Sequence, residues 1–192
     1  MKLLGREYYQ SGHMEALLVL APLTLHAVSG LLKRLILPRK RPRPINHPLA
    51  ITGYATMFFF LPIHFLIHRE YPTIETPPIS SIGPAELDYE FVKTGLKVWP
   101  GRSLLLYGGL VLSTAFHMAD GLQILWTSWV KEVPSPLQLL ANRKYRRAAK
   151  VGALALPSFL GLYFLFREPL LALPTLTSRY EAVFRSSFVY QG

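Results

Sequence analysis

Long apolar runs separated by short polar segments dominate the chain. A helix that spans a bilayer needs about 20 mostly apolar residues. Four runs reach that length, at about residues 14–37, 48–67, 103–130 and 148–166. Polar residues interrupt the second run at His64 and the third at Asp120. The pattern predicts four transmembrane helices.

The remaining segments predict little regular structure. Residues 71–90 are rich in proline and acidic residues, which is typical of an irregular loop. Residues 86–99 are a candidate for a short amphipathic helix. The apolar stretch from Pro169 to Thr177 is too short to span, so residues 167–192 are predicted to lie at the membrane surface. We therefore expect residues 1–192 to form one all-α domain, a polytopic membrane four-helix bundle.

Composition agrees with a membrane protein and excludes several kinds of site. Hydrophobic residues make up 51% of the chain and charged residues 17%, where soluble domains contain about 25% charged residues. Because the chain has no cysteine, disulfides, thiolate metal ligands and thiol nucleophiles are excluded. The sequence shows no serine–histidine–acid pattern, phosphate-binding loop or carboxylate pair, so we do not expect an enzyme.

The net charge of +10 is concentrated in two loops. Together, the loop between the first two spans and the loop between the last two contain twelve basic residues. Because successive spans cross the membrane in opposite directions, both loops lie on the same side of it. The twelve are Lys33, Arg34, Arg39, Lys40, Arg41, Arg43, Lys131, Arg143, Lys144, Arg146, Arg147 and Lys150. Such a bias is typical of membrane topology, so nucleic-acid binding is not expected. Basic loops also attract anionic membrane lipids, and the headgroup candidates are Arg143, Lys144, Arg146 and Arg147.

The first and third predicted spans share a motif. Residues 25–31 and 116–122 both read apolar–His–x–x–polar–Gly–Leu. A Leu-Pro pair at 61–62 and again at 156–157 extends the similarity to the second and fourth spans. A tandem repeat of a helical hairpin is the simplest explanation.

The repeat predicts that His26 and His117 lie at nearly equal depth. At 1.5 Å per residue they are about 18 Å and about 21 Å along spans that run in the same direction. Histidines inside a membrane usually face the interior of the bundle. Two imidazoles at one depth can ligate a single haem b iron. Gly30 and Gly121, one turn after each histidine, would then let the flat macrocycle approach.

A simpler interpretation stays open, in which each histidine forms an interhelical hydrogen bond and the glycines allow close helix packing. His64 lies near the opposite surface and aligns with Phe159, so we do not expect a second haem. Asp120 shares a helix face with His117. It could orient an imidazole, pair with a basic headgroup, or hold water near the interface.

Short motifs also carry a resemblance to a known family. They are Tyr8-Tyr9-Gln10-Ser11, Glu15-Ala16-Leu17-Leu18, Leu25-His26-x-x-Ser29-Gly30 and Phe116-His117-x-x-x-Gly121. With these motifs the chain resembles, over roughly residues 8–170, the membrane domain of fungal mitochondrial adapter proteins. The resemblance implies a multi-pass protein of the mitochondrial outer membrane that acts in lipid homeostasis and organelle contact. It also implies recruitment of a bridge-like lipid-transfer protein of the vacuolar-sorting class.

A more distant resemblance implies a different function. The chain is similar to the cytochrome b membrane anchors of succinate dehydrogenase and fumarate reductase, which hold haem between histidines on paired helices. His26 and His117 match that pattern, which implies electron transfer through one haem.

In the adapter family a proline motif binds the transfer protein. Here Pro42-Arg43-Pro44 and Pro134-Ser135-Pro136 have Pro-x-Pro spacing.

Overall fold

The computed structural model describes residues 13–36, 46–129 and 142–191. These residues form six helices and no strand, so the all-α prediction is confirmed. The helices are α1 (Ala16–Ile36), α2 (Pro48–Thr73), α3 (Tyr89–Val98), α4 (Pro100–Trp129), α5 (Arg143–Arg167) and α6 (Pro174–Arg185).

Three of the described helices are long and apolar enough to cross a membrane. They are α1, α2 and the part of α5 from Lys144 to Arg167. This result agrees with a multi-pass membrane protein. The third predicted span falls in α4, which is 30 residues long. α4 is not among the three candidate spans, because polar side chains interrupt its apolar run.

Side-chain caps mark the start of two of the long helices, α2 and α5. α2 begins at Pro48, where the backbone N–H of Leu49 donates to Nδ1 of His47 at 3.2 Å. α5 begins five residues before its predicted start, because Oδ1 of Asn142 accepts from the N–H of Lys144 at 2.9 Å. The first turn of α5 is therefore cationic rather than apolar.

Prolines inside α1 and α2 follow widened turns. Residues 16–20 and 56–60 are π-helical, and Pro22 and Pro62 come two residues later. A proline in a helix lacks the N–H donor, and its ring crowds the carbonyl of the residue four positions earlier. In the widened turns the N–H of Ala21 bonds to the carbonyl of Ala16, and the N–H of Leu61 bonds to the carbonyl of Thr56. Both helices continue past their prolines.

α1 and α2 run antiparallel. Near the start of α1, Nη2 of Arg69 lies 2.9 Å from Oε2 of Glu15. Near the end of α1, the guanidinium of Arg34 lies 5.6 Å from the ring centroid of Tyr54. We call the first of these ends the cap end and the second the basic end.

α4 lies against both α2 and α5. Toward α2, Oγ1 of Thr56 donates to Oγ of Ser113 at 2.8 Å, and a Cβ added to Gly109 would lie 2.2 Å from the ring of Phe60. Toward α5, small residues form a buried cluster of Ala115, Ala119, Val151 and Ala155. Small side chains on α4 thus let both neighbours approach closely.

A folded cap, which we define as residues 74–99 and 168–191, covers the cap end. One cluster of its buried hydrophobic residues packs on Ile63, Ile67 and Leu106 of α2 and α4. This cluster contains Ile79, Ile82, Phe91, Tyr180, Val183, Phe184 and Tyr190. Residues 71–90 were predicted as an irregular loop and residues 167–192 as a surface segment. Their described parts pack together around one core.

Polar contacts fix the two halves of the cap to each other. Nη1 of Arg179 lies 2.9 Å from Oε1 of Glu86, and its Nε donates to the carbonyl of Ile79 at 2.9 Å. The N–H of Gly83 and this guanidinium hold the pKa of Glu86 below its usual value. Tyr180 donates to the carbonyl of Glu86, and burial together with nearby carboxylates raises the pKa of Tyr180 to about 12.

Candidate functional site

His26 of α1 and His117 of α4 face each other. Their ring centroids are 5.9 Å apart, with an interplanar angle of 82°. The matched-depth argument predicted that these rings would be neighbours. Nδ1 of His117 lies 3.0 Å from the carbonyl oxygen of Leu49. Since a carbonyl only accepts, Nδ1 donates, and Nε2 of the neutral ring keeps its lone pair.

Gly53 of α2 makes room for the His117 ring. A Cβ added there would lie 2.7 Å from both Cε1 and Nδ1 of His117, a distance at which a real side chain would clash. The sequence analysis missed Gly53. A glycine in an otherwise apolar span is the signal that could have identified it.

Gly30 and Gly121 are not in close contact with a neighbouring helix in the described part of the chain. A Cβ added at either position would meet no described atom within 4 Å. No residue of α1 is buried, and His26 itself is exposed. Within the described residues no neighbouring helix therefore packs against either glycine, as the packing interpretation would have required.

Asp120 pairs with a basic side chain of the neighbouring helix. Its Oδ2 lies 2.8 Å from Nη2 of Arg147, whose guanidinium is 5.2 Å from the ring centroid of Phe116. Lys150 of α5 bonds to Gln123 of α4 one turn further on. Asp120 therefore pairs with a cation, as one of its three predicted roles required. That cation is a side chain of the protein, however, and not a lipid headgroup.

The headgroup candidates occupy the basic end. Arg143 begins α5, Lys144 is exposed and Arg146 is half-buried. Arg147 already has a carboxylate partner, so a lipid phosphate would have to compete with Asp120 for it. The loop cations at 39–43 and 131, and both Pro-x-Pro sequences, lie outside the described residues.

A second imidazole pair lies toward the cap end. His64 and His68 of α2 stack with ring centroids 4.3 Å apart, and Nε2 of His68 lies 3.1 Å from the hydroxyl of Tyr107 on α4. A cavity beside them, closed partly by Tyr190 of the cap, has room for about one water molecule. The four-residue spacing of His64 and His68 puts both histidines on one helix face.

Comparison of the chain with protein-family models, curated protein sequences and solved structures gave no match. Within the described ranges, no group of three or more His, Cys, Asp or Glu side chains converges as a metal site. The chemistry that the described residues bring together is therefore paired imidazoles inside the bundle, cations at one end and a folded cap at the other.

Proposed function

We propose that the chain is a non-enzymatic membrane adapter in lipid homeostasis and organelle contact, and that α4 is its fourth spanning helix. At 1.5 Å per residue α4 is about 45 Å long, which exceeds the ~30 Å thickness of a hydrocarbon core. Its polar groups meet partners on neighbouring helices, as in the pairs of Ser113 with Thr56 and Asp120 with Arg147. Polar groups that are satisfied inside a bundle are compatible with a membrane span.

The cap is the observation that carries the adapter proposal. Phe91, Tyr180 and Phe184 are almost completely buried there, whereas large side chains along α1 and α5 are exposed, as lipid contact requires. An adapter needs a rigid surface outside the bilayer and a firm anchor within it, and the cap on its helices supplies both.

The resemblance to fungal mitochondrial adapters supplies the finer parts of this proposal. They are a place in the mitochondrial outer membrane and a bridge-like lipid-transfer protein as the partner. We propose that the partner docks on the cap and that anionic lipids bind at the basic end, where Lys144 and Arg146 accompany the end of α1.

A flotation experiment tests recruitment. Liposomes that contain the purified chain are mixed with the soluble lipid-transfer protein and centrifuged through a density gradient. The wild-type chain should carry the transfer protein to the top fraction, and the cap variants Glu75→Arg and Phe188→Ser should reduce that amount several-fold. Both positions are exposed, so the substitutions should leave the fold intact.

The control variants replace Pro42 and Pro44, or Pro134 and Pro136, by Ala in the basic loops. Loss of flotation in these variants alone would move the docking site to the loops. If liposomes with the wild-type chain bind no more transfer protein than empty liposomes do, the adapter proposal is refuted.

The facing of His26 and His117 supports a second candidate, a cytochrome b-type anchor with one haem. Two imidazoles suit the axial positions of haem iron. The hydrogen bond from His117 to Leu49 fixes the tautomer that leaves Nε2 for a metal. No described atom lies within 4 Å of a Cβ added to Gly30 or Gly121, so these positions would not obstruct a flat group. His26 and His117 would hold the iron, and the bound haem would supply one-electron transfer.

An absorbance spectrum decides between the two candidates. Protein purified from haem-replete cells should show a Soret band, and His26→Ala or His117→Ala should abolish it. The matched control His64→Ala, in the other imidazole pair, should keep it. A colourless wild-type protein would refute the haem candidate and leave His26 and His117 as contacts between helices.

A further inference from the structure

The segment that joins α5 to α6 is fixed in place. Oε2 of Glu90 accepts from the backbone N–H groups of Leu171 and Ala172 at 2.7 and 3.1 Å. Nζ of Lys93 donates to the carbonyl of Pro169 at 3.0 Å, and the Lys93 side chain is only 3% exposed. Residues 169–172 are therefore held along α3 by hydrogen bonds to two largely buried charged groups.

This fixed segment turns two leucines outward. Ala172 packs against the cap core, while its neighbours Leu171 and Leu173 are 77% and 71% exposed. The segment is irregular and bends at Ala172, and the side chains on either side of Ala172 point away from the core. The contacts that hold the backbone thus also keep the two leucines away from the core.

The position of the two leucines indicates what covers them. They follow α5 by four and six residues, and α5 presents Leu160 and Phe164 outward along its span. At the end of that span, Nζ of Lys97 lies 5.1 Å from the ring centroid of Phe166, an arrangement typical of the membrane–water interface. Four extended residues reach at most about 14 Å, so Leu171 lies close to that interface.

We infer that Leu171 and Leu173 insert into the headgroup–acyl boundary of the leaflet next to the cap and hold the cap against the membrane surface. The lipid is the occupant that continues the exposed apolar surface of α5 without a break. Side chains that enter this layer add apolar contact with lipid while the backbone remains bonded within the protein. The inference does not depend on the adapter proposal, since it requires only that α5 spans the membrane.

Spin labels can test this placement because the chain has no cysteine. Single variants Leu171→Cys and Leu173→Cys are labelled in liposomes, and collision with oxygen is compared with collision with a water-soluble nickel complex. Leu160→Cys on α5 is the lipid reference, and Ala85→Cys, at an exposed position of the cap, is the water reference. All four side chains are at least partly outside the core, so the labels should not disturb folding.

The labels at Leu171 and Leu173 should have an oxygen-to-nickel collision ratio several-fold above that at Ala85 and closer to that at Leu160. A ratio equal to that at Ala85 would overturn the inference. Protection from both reagents would also overturn it, because a second copy or another protein would then cover the leucines. A water-like signal at Leu160 would show instead that α5 does not span.

Discussion

Replacing the buried Phe184 by Ala should destabilise the cap more than replacing an exposed phenylalanine by Ala. Phe184 is fully buried. Its ring stacks on Phe91 at a centroid distance of 4.7 Å and meets Tyr190 edge-on at 5.0 Å. On another side, a Cβ added to Gly95 would lie 2.6 Å from Cζ of Phe184. Since a helical glycine has no side chain that could fill the cavity, we expect the full cost of a Phe→Ala core substitution, about 3–5 kcal/mol.

Thermal unfolding of the detergent-purified protein measures this loss. The ring centroids of Trp99 and Phe184 are 5.8 Å apart, so the fluorescence of Trp99 should report the opening of the cap. Phe188→Ala is the matched control, because Phe188 is 70% exposed and its loss should change stability by about 0.5 kcal/mol or less. Equal unfolding temperatures for the two variants would show that the cap does not contain the core described above.

Two further predictions concern the imidazole pair and the cap. Gly→Ala inside a helix normally stabilises it by about 0.8–1 kcal/mol. Gly53→Ala should instead destabilise the protein, because the His117 ring must move and lose its hydrogen bond. The control Gly152→Ala, where an added Cβ meets no described atom within 4 Å, should be neutral or stabilising in the same thermal assay. Burial opposes ionisation of Glu90, but bonds from Lys93 and two backbone N–H groups outweigh it and hold the pKa of Glu90 below its ordinary 4.5. Because the folded-state pKa is lowered, the stabilisation is present above pH 4.5 and is lost as the pH falls below it. The unfolding temperature of the wild type should therefore drop below pH 4.5, and that of Glu90→Gln should drop less. An equal dependence of the unfolding temperature on pH in both proteins would contradict this account.

Local pattern was enough to predict the long helices and the meeting of two side chains. Apolar runs of spanning length identified α1, α2 and α5, because length and composition are properties of a continuous segment. The fixed rise of a helix predicted that His26 and His117 would lie at one depth. Whether they hold a ligand depends on how α1 packs against α4, and a local sequence pattern does not determine that packing.

The cap could not be predicted from the same pattern. Phe91 and Phe184 lie far apart in the chain, and neither segment is long or periodic enough to indicate its partner. Prolines and acids around Glu86 suggested an irregular loop, yet that loop contributes the carboxylate that binds Arg179. Such long-range pairs follow from the folded arrangement rather than from local propensity, which explains why the packing of this loop against residues 168–191 was not predicted.

α4 shows how hydropathy and burial can diverge in a membrane protein. Its polar residues lower the apolar character of the helix, which is why it falls outside the three described span candidates. Those same residues face inward, where Ser113 bonds to Thr56 and Asp120 to Arg147. Lipid-facing helices must be apolar, but a helix covered by its neighbours need not be, provided that its polar groups find partners. The lower hydropathy of α4 therefore fits its position between α2 and α5, and it is the partners on those helices that make a fourth span physically reasonable.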